Sequence, residues 1–333
     1  MNDKSIQVLI QKFFLERLMA QRQVSPQTVK SYRDTFRLYL RFMTLQHRIS
    51  LTKMSISHFD AEHILEFLNY LDKDRGNAPE TVNNRLAALH SFINYLLFER
   101  PEYSALLSRS LAVPFRKTQR RQMEFLTEDE FMALKGACKT NTALGSRDLL
   151  MLILLYNTGT RVSELLGLRP SDINVSNPND AYIHIMGKGR KDRCVPLWRN
   201  TAEYLLAYMH DNRIDDDNTI FRNNVAGALT RSGVRYRLGC LQKQAAITCP
   251  SLVKKNVTPH TFRHTTALRM LQSGVDIAFI AIWLGHESLL TTHKYMEADL
   301  VMKRKSLEKL GNSGHSAYDY HPDESVLAFL STL

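Results

Sequence analysis

A basic stretch without apolar periodicity interrupts the chain at residues 112–124 and separates two parts of different character. Its centre, from Arg116 to Arg121, carries charge but no spacing that a packed helix or strand would need. A chain of 333 residues is long enough for two domains. The break therefore predicts a solvated linker between one domain over residues 1–111 and another over residues 125–310.

The first domain shows helical spacing throughout. Apolar residues recur at that spacing over residues 5–20, and another apolar stripe follows the helix start at Ser25-Pro26. Two further helices are predicted over residues 61–71 and 79–98, the second lying between two prolines. Four amphipathic helices of this length predict a compact bundle, whose polar faces are rich in Lys, Arg, Gln and Asn.

The second domain combines helices with strands. Thr127 and the acidic residues after it are typical of a helix start, and residues 148–157 predict a buried helix. Two short runs, 182–186 and 193–197, have the composition of strands and flank a glycine-containing hairpin loop at 187–192. Helices then dominate to about residue 310. The predicted fold class is therefore mainly α with a small antiparallel β-sheet.

The charge of the chain indicates the kind of partner it binds. The formal net charge is +11 and the sequence pI is near 9.5, an excess that favours a polyanion, most commonly nucleic acid. The alternative of a merely soluble basic protein stays open on charge alone. The basic linker is consistent with nucleic acid, because a linker between two DNA-binding domains can follow phosphates.

Cysteine usage and hydropathy indicate where the protein works. The four cysteines form neither a C-x-x-C pair nor a Cys/His metal pattern, which predicts reduced thiols in a cytosolic protein. The N-terminus has no secretory signal pattern, and the longest apolar run, residues 149–156, is too short to span a bilayer. The sequence therefore predicts a cytoplasmic enzyme.

Four local signals in the second domain carry the side chains best suited to chemistry. An arginine follows a glycine-containing turn that opens a helix, and a lysine stands in the hairpin loop. A histidine and an arginine three residues apart share a face of a helix that begins at a proline. A tyrosine stands nine residues after a Leu-Gly-His triplet. In chain order these residues are Arg161, Lys188, His260, Arg263, His286 and Tyr295.

Together these side chains suit cleavage of a phosphodiester. Arg161 and Arg263 can neutralise the charge that builds on the phosphate oxygens, in place of a metal ion. Tyr295 can attack phosphorus once His260 accepts its proton, because a phenol with a pKa of about 10 is a weak nucleophile. Lys188 can protonate the leaving oxygen as a general acid. The remaining histidine, His286, donates to the phosphate or places the tyrosine.

Each signal taken alone has an ordinary structural explanation. Arg161 could be solvated or salt-bridged, the Gly-Lys-Gly loop could be a common turn, and Tyr295 could be a core or surface aromatic. Glu164 is interpreted as structural, orienting either Arg161 or a nearby element that carries a lysine. Three further histidines are assigned to packing or supporting positions: His184, His264 and His293.

The order of the six residues resembles the tyrosine recombinase (phage integrase) family, including its Xer-like and mobile-element members. The resemblance is specific over residues 126–310. The first 110 residues resemble the family only in architecture, as a helical SAM-like core-binding domain. The resemblance implies a DNA-binding domain over 1–111, a basic linker over 112–124, a catalytic domain over 125–310, and a flexible linker with a C-terminal docking helix over 311–333.

The resemblance also implies a mechanism and partners. The six residues would surround the scissile phosphate, and Tyr295 would form a 3′-phosphotyrosyl bond without metal or nucleotide cofactor. The two domains would close around double-stranded DNA that carries inverted-repeat sites. Four protomers would then exchange strands in pairs through a Holliday junction.

Two alternatives in function, and one question about the tail, stay open in the sequence. A type IB topoisomerase uses similar residues, and a non-catalytic DNA-binding accessory protein could share the fold.

About 38 residues follow Tyr295, which is long for chromosome-dimer resolution and makes a transposon or phage role at least as good a prediction. A helix is predicted over 299–310 and an apolar one over 326–333, which docks either on its own domain or on a neighbour.

Overall fold

The chain forms two compact units in a computed structural model, Met1–Arg121 and Gln122–Leu333. The structure describes residues 5–118, 123–187, 192–215, 217–225, 227–286, 291–292 and 295. Lys188, most of the hairpin loop and the whole predicted tail lie outside the described residues.

The first unit consists of helices. They are α1 (Ile6–Lys12), which continues as a π-helical segment (Phe13–Gln21), α2 (Pro26–Gln46), α3 (Ala61–Asn69), which continues as a π-helical segment (Tyr70–Asp74), α4 (Pro79–Glu99) and α5 (Ser104–Leu111). Ser25 accepts a hydrogen bond from the backbone N–H of Thr28, and Pro26 stands at the first helical position, as the sequence predicted. The short α5 was not predicted, because eight residues after a proline carry too little periodicity.

Aromatic side chains fill the core of the first unit. Phe13, Phe36 and Phe92 meet with ring centroids 5.1–6.0 Å apart. Tyr39 is fully buried and donates its hydroxyl hydrogen to the carbonyl of His58 at 2.6 Å, so its polar end is satisfied inside the core. Burying one such ring contributes about 2–3 kcal/mol, so these aromatic side chains stabilise the unit together with the buried aliphatic side chains around them.

The beginning of the predicted linker packs on the first unit. Val113 is buried, and the backbone of Arg116 exchanges two hydrogen bonds with the side chain of Asn83. The Arg116 guanidinium also donates to Asp72 at 2.9 Å and to Asn69 at 2.9 Å. Residues up to Arg116 are therefore fixed to the helical bundle, although the sequence predicted a solvated break from residue 112.

The second unit surrounds a small sheet with helices. Its helices are α6 (Glu128–Gly136), α7 (Ala143–Thr158), α8 (Val162–Gly167), α9 (Arg199–Asp211), α10 (Arg231–Ala245), α11 (Pro259–Gln272) and α12 (Ile277–Leu284). The strands β1 (Ile173–Asn174), β2 (Tyr182–Met186) and β3 (Asp192–Pro196) form an antiparallel sheet in the order β1-β2-β3. The mainly helical fold with a small antiparallel sheet is confirmed.

Local capping explains where two helices of the second unit begin. Thr127 and Glu130 form a reciprocal capping box at the start of α6, at 2.9 and 3.3 Å. At the start of α11, Thr258 accepts from the backbone of Thr261 while Pro259 occupies the first turn. Helix α11 packs against α7 and α12. Those contacts bring together the segments that carry the predicted chemistry.

Candidate active site

Arg161 stands directly after a left-handed turn. Helix α7 ends at Thr158, and Gly159 follows with φ of +61°. A Cβ at this position would come within 2.7 Å of a Leu284 side-chain atom, so both the backbone angle and the packing require glycine. Arg161 is the N-cap residue directly before α8, and it donates to the Glu164 carboxylate at 2.8 Å and to the carbonyl of Gly285 at 2.7 Å.

Arg263 reaches the same region from α11. The residue is 4 % exposed, and its guanidinium donates to the carbonyl of Gly159 at 2.9 Å and to the carbonyl of Leu284 at 2.6 Å. The two arginines thus bind adjacent carbonyls at the end of α12, at Leu284 and Gly285. Burial, together with the charge of Arg161, lowers the pKa of Arg263 to about 10, so it remains a cation at neutral pH.

A buried carboxylate holds Arg161 in place with the help of Arg193, a residue that the sequence analysis did not single out. The Glu164 carboxylate accepts from Arg193 at 2.7 Å, and Arg193 donates in addition to the carbonyl of Trp283 at 2.9 Å. Burial opposes the ionisation of Glu164, but hydrogen bonds from Arg193 and Arg161 outweigh it and lower the pKa. Strand alternation offered one signal, because Arg193 shares the inward face of β3 with buried Val195.

His286 and Tyr295 lie beyond the end of α12. Gly285 ends the helix in the left-handed conformation, with φ of +64°, and directs the chain to His286. The Nδ1 atom of His286 is 2.7 Å from the hydroxyl of Thr292, and its ring stacks on Tyr295 with centroids 6.2 Å apart. Tyr295 is 3 % exposed. Burial raises the pKa of Tyr295, although the charge of Arg263 opposes the rise.

The histidine that contacts the Tyr295 hydroxyl is His264. Its Nδ1 atom lies 3.2 Å from the hydroxyl oxygen. His260, which the sequence analysis nominated as proton acceptor, stands one turn earlier on α11 with an exposed side chain and stacks on His264 at a centroid distance of 6.4 Å. Sequence analysis had assigned His264 to a packing or supporting position.

The structure thus brings five of the six predicted residues into one region of the second unit: Arg161, His260, Arg263, His286 and Tyr295. The sixth, Lys188, lies outside the described residues, as does His293. His184 lies on β2, 3.9 Å from Asp192, and takes no part in this network of contacts. Within the described part of the chain, no group of three or more His, Cys, Asp and Glu side chains could hold a metal ion.

Comparison with known protein families decides the assignment. The phage integrase family matches residues 124–300, and the N-terminal SAM-like domain of phage integrases matches residues 12–100. This chain belongs to the phage integrase family. The resemblance inferred from the six residues is confirmed, as is the SAM-like character of the first unit, and the protein is an enzyme of the tyrosine recombinase type.

Relatives of this integrase cover nearly its whole length. A putative integrase/recombinase y4rC of Sinorhizobium fredii is 40 % identical over 329 residues, which is 99 % of this chain and 98 % of that protein. Tyrosine recombinase XerD of Oceanobacillus iheyensis is 33 % identical over 85 % of this chain and 91 % of that protein.

Solved structures show the same fold. The integrase of transposon Tn1549, in complex with a circular intermediate DNA, superposes with a TM-score of 0.69 at 16 % identity, over 90 % of this chain and 98 % of that one. The described helices of the integrase do not include one long and apolar enough to cross a membrane.

Proposed function

We propose that this integrase is a site-specific recombinase in which Tyr295 cuts DNA and keeps the cut end as a 3′-phosphotyrosyl intermediate. The observation that supports this most directly is the position of Tyr295. Its ring lies against His286, and its hydroxyl contacts α11, the helix that also carries Arg263. A phenol placed in this way can attack a phosphate that the arginines hold.

Arg161 and Arg263 supply the positive charge that the reaction needs. Attack on phosphorus adds negative charge to the non-bridging oxygens, and guanidinium groups bind such oxygens in a fixed fork. The backbone carbonyls of Leu284 and Gly285, with Glu164, already orient both groups before DNA arrives. Charge that is oriented in advance stabilises a transition state without the cost of reorganisation.

The other residues of the set act on protons and on the phosphate. His286 donates a hydrogen bond to a phosphate oxygen or keeps Tyr295 in place, and exposed His260 faces the incoming DNA. Lys188 protonates the 5′-oxygen as it leaves, because an unprotonated alkoxide is a poor leaving group. Ligation then reverses these steps, so the energy of the broken bond is kept in the phosphotyrosine.

The DNA partner is proposed to be a double-stranded site with inverted repeats. Net charge of +11 favours a polyanion, and a XerH recombinase that shares the fold, with a TM-score of 0.65 at 21 % identity, was solved bound to palindromic difH substrate. Four protomers on two such sites would exchange strands in pairs through a Holliday junction. The covalent attachment at each tyrosine keeps the cut ends in place during the exchange.

Assembly is proposed to depend on the C-terminal segment, residues 326–333, of a neighbouring copy. The second unit has an apolar cavity of about 260 Å³ whose wall includes Trp198, Met270 and Trp283. The half-exposed ring of Phe279 on α12 contacts Trp283 and extends this apolar surface. An apolar segment too short to be stable alone requires such a surface, and the residues between it and Tyr295 are numerous enough to reach a neighbour.

Deletion of residues 312–333 is expected to leave binding to a single site intact and to abolish synaptic tetramers. A Trp198→Ala variant should show the same loss if the cavity is the docking surface. Tetramers that form normally in both variants, as judged by native gels and light scattering, would refute the tail exchange and leave the segment as an extension that packs on its own subunit or is dispensable.

The function itself is tested with a nicked suicide substrate. Wild-type protein is expected to form an SDS-resistant adduct, also in EDTA, and Tyr295→Phe is expected to form none while binding DNA nearly as well. An adduct in the Phe variant would show that another residue is the nucleophile. Relaxation of supercoils without strand exchange by the wild type would favour a topoisomerase.

A further inference from the structure

Tyr295 contacts two histidines, and each of them contacts a different part of the tyrosine side chain. The His286 ring is stacked on the tyrosine ring, with centroids 6.2 Å apart and an interplanar angle of 15°. The His264 ring meets it obliquely at 58°, with its Nδ1 atom 3.2 Å from the hydroxyl oxygen. One histidine therefore contacts the face of the ring, and the other contacts the atom that reacts.

A neutral imidazole at this distance can accept the phenolic hydrogen. His264 does so when its ring proton is on Nε2, which leaves the Nδ1 lone pair directed at the hydroxyl. His264 lies one turn after His260 on α11, so the helix fixes the distance between them. His260, by contrast, is exposed and contacts the ring of His264.

His286 is poorly suited to receive the proton. Its Nδ1 atom is occupied by the hydroxyl of Thr292 at 2.7 Å. Burial and the charges of Arg263 and Arg161 lower the pKa of His286 to about 4, which makes it a weak base. The same residue is suited to a neutral role, in which it holds the tyrosine ring and donates to the phosphate.

We propose that His264, rather than His260, accepts the proton of Tyr295 when the tyrosine attacks DNA. This proposal rests on the proposed function. In the step, the Tyr295 oxygen forms a bond to phosphorus, the bond from phosphorus to the 5′-oxygen breaks, and the phenolic proton moves to Nδ1 of His264. Lys188 supplies the proton that the 5′-oxygen takes up. Ligation returns the first proton from His264 to Tyr295.

Bound DNA is expected to favour proton transfer from Tyr295 to His264. Without DNA, Arg161 and Arg193 share the carboxylate of Glu164 while Arg263 binds backbone carbonyls, so positive charge is in excess in this region and disfavours a further cation. A phosphate bound between the arginines brings negative charge to the site, so an imidazolium at position 264 becomes less costly. Proton transfer is therefore linked to substrate binding, which protects Tyr295 from activation in the free protein.

The experiment measures single-turnover adduct formation with two leaving groups, the natural 5′-oxygen and a 5′-bridging sulfur. His264→Ala is expected to slow cleavage by about 10²-fold or more with both substrates, since sulfur needs no acid but tyrosine still needs a base. Lys188→Ala should be slow with oxygen and restored by sulfur. The exposed His210, far from the site in sequence and on α9, provides a control: His210→Ala should cleave at the wild-type rate.

The His264→Asn variant distinguishes two possible roles of this side chain, which are binding the Tyr295 hydroxyl and accepting its proton. The asparagine amide can occupy the position of Nδ1 and bind the hydroxyl, yet it cannot accept a proton. It is expected to be as slow as His264→Ala while binding DNA and folding as the wild type does, by gel shift and circular dichroism. If His264→Ala disturbs folding, the cleavage rate of His264→Asn still tests whether His264 accepts the proton.

If the His264→Asn variant cleaves the oxygen substrate at the wild-type rate, the proposal is wrong. Rescue of His264→Ala by sulfur would also overturn the proposal, because it would place His264 on the side of the leaving group. These results are distinct from failure of the proposed function, which would appear as an absent adduct in the wild type or an adduct in Tyr295→Phe.

Discussion

Two carboxylates with buried side chains in the second unit, Glu164 and Asp148, are each bound by two arginines. Glu164 binds Arg161 and Arg193 at 2.8 and 2.7 Å in the candidate active site. Away from the site, fully buried Asp148 binds Arg147 at 2.6 Å and Arg237 at 2.7 Å. A buried ion pair adds little stability relative to an apolar pair of the same shape, but loss of one partner is costly because it leaves a charge without compensation.

Glu164→Gln is therefore expected to reduce both stability and cleavage. Removal of the charge leaves buried Arg193 uncompensated, which costs on the order of 3 kcal/mol in the free energy of unfolding. Arg161 also loses its ionic anchor, so the cleavage rate of the folded protein should fall. Asp148→Asn is the matched control: it should lower the unfolding midpoint in urea while the folded fraction still cleaves at the wild-type rate. Equal cleavage by both variants would contradict a role for Glu164 in placing Arg161.

The stabilisation from Glu164 is expected to depend on pH in the acid range. The pKa of Glu164 is lower in the folded than in the unfolded protein. Its contribution is then fully present above the unfolded-state pKa and is lost as the pH falls through the folded-state pKa. The stability difference between wild type and Glu164→Gln should shrink when urea unfolding is measured at decreasing pH. A difference that stays constant into strong acid would contradict this linkage.

At the scale of helices and strands, the sequence predicted where helices begin better than which distant residues contact each other. Ser25, Thr127 and Thr258 mark helix starts because a cap is a local interaction, made within three residues. The contact of His264 with Tyr295 joins residues 31 apart, and that of Glu164 with Arg193 joins residues 29 apart. Contacts at such separations depend on how helices pack, which no local pattern encodes. The family resemblance supplied five of the residues that meet here, but not Arg193 or His264.

The end of α12 determines where the arginines lie, and Gly285 forms that end. Alanine at this position would place a Cβ 2.8 Å from a terminal nitrogen of Arg193, which is itself bound to Glu164 and Trp283. Gly274 also has a positive φ, of +82°, but has open space where a Cβ would stand. The two glycines thus share the backbone strain and differ in what the side chain meets.

Gly285→Ala is expected to cost more than Gly274→Ala and to affect catalysis. Left-handed strain alone costs about 1 kcal/mol and should appear in both variants. Displacement of the Arg193 guanidinium should add further destabilisation to Gly285→Ala and slow its cleavage, measured as adduct formation per folded molecule. Equal stability and equal cleavage in the two variants would show that the contact with Arg193 is unimportant.

At the scale of the whole molecule, each unit has a hydrophobic core of its own. Phe13, Phe59 and Phe92 belong to the core of the first unit, and Leu155, Phe221 and Phe262 to that of the second. A separate core for each unit allows each to fold by itself. The candidate active site lies in the second unit, so truncation of the first unit can test how much of the DNA binding each unit provides.

A fragment of residues 123–333 is expected to bind DNA more weakly than the whole chain and with a smaller dependence on salt. Each phosphate that a protein neutralises adds about 0.9 to the slope of log affinity against log salt concentration, because counterions are released. If both units contact phosphates, removal of the first unit should lower that slope by about 2 or more, and should also reduce discrimination between target and unrelated DNA.

Fluorescence anisotropy over a range of salt concentrations measures both quantities, with circular dichroism to verify that the fragment is folded. A folded fragment with the slope and specificity of the whole chain would show that the second unit alone contacts DNA. The helical bundle would then serve assembly rather than recognition.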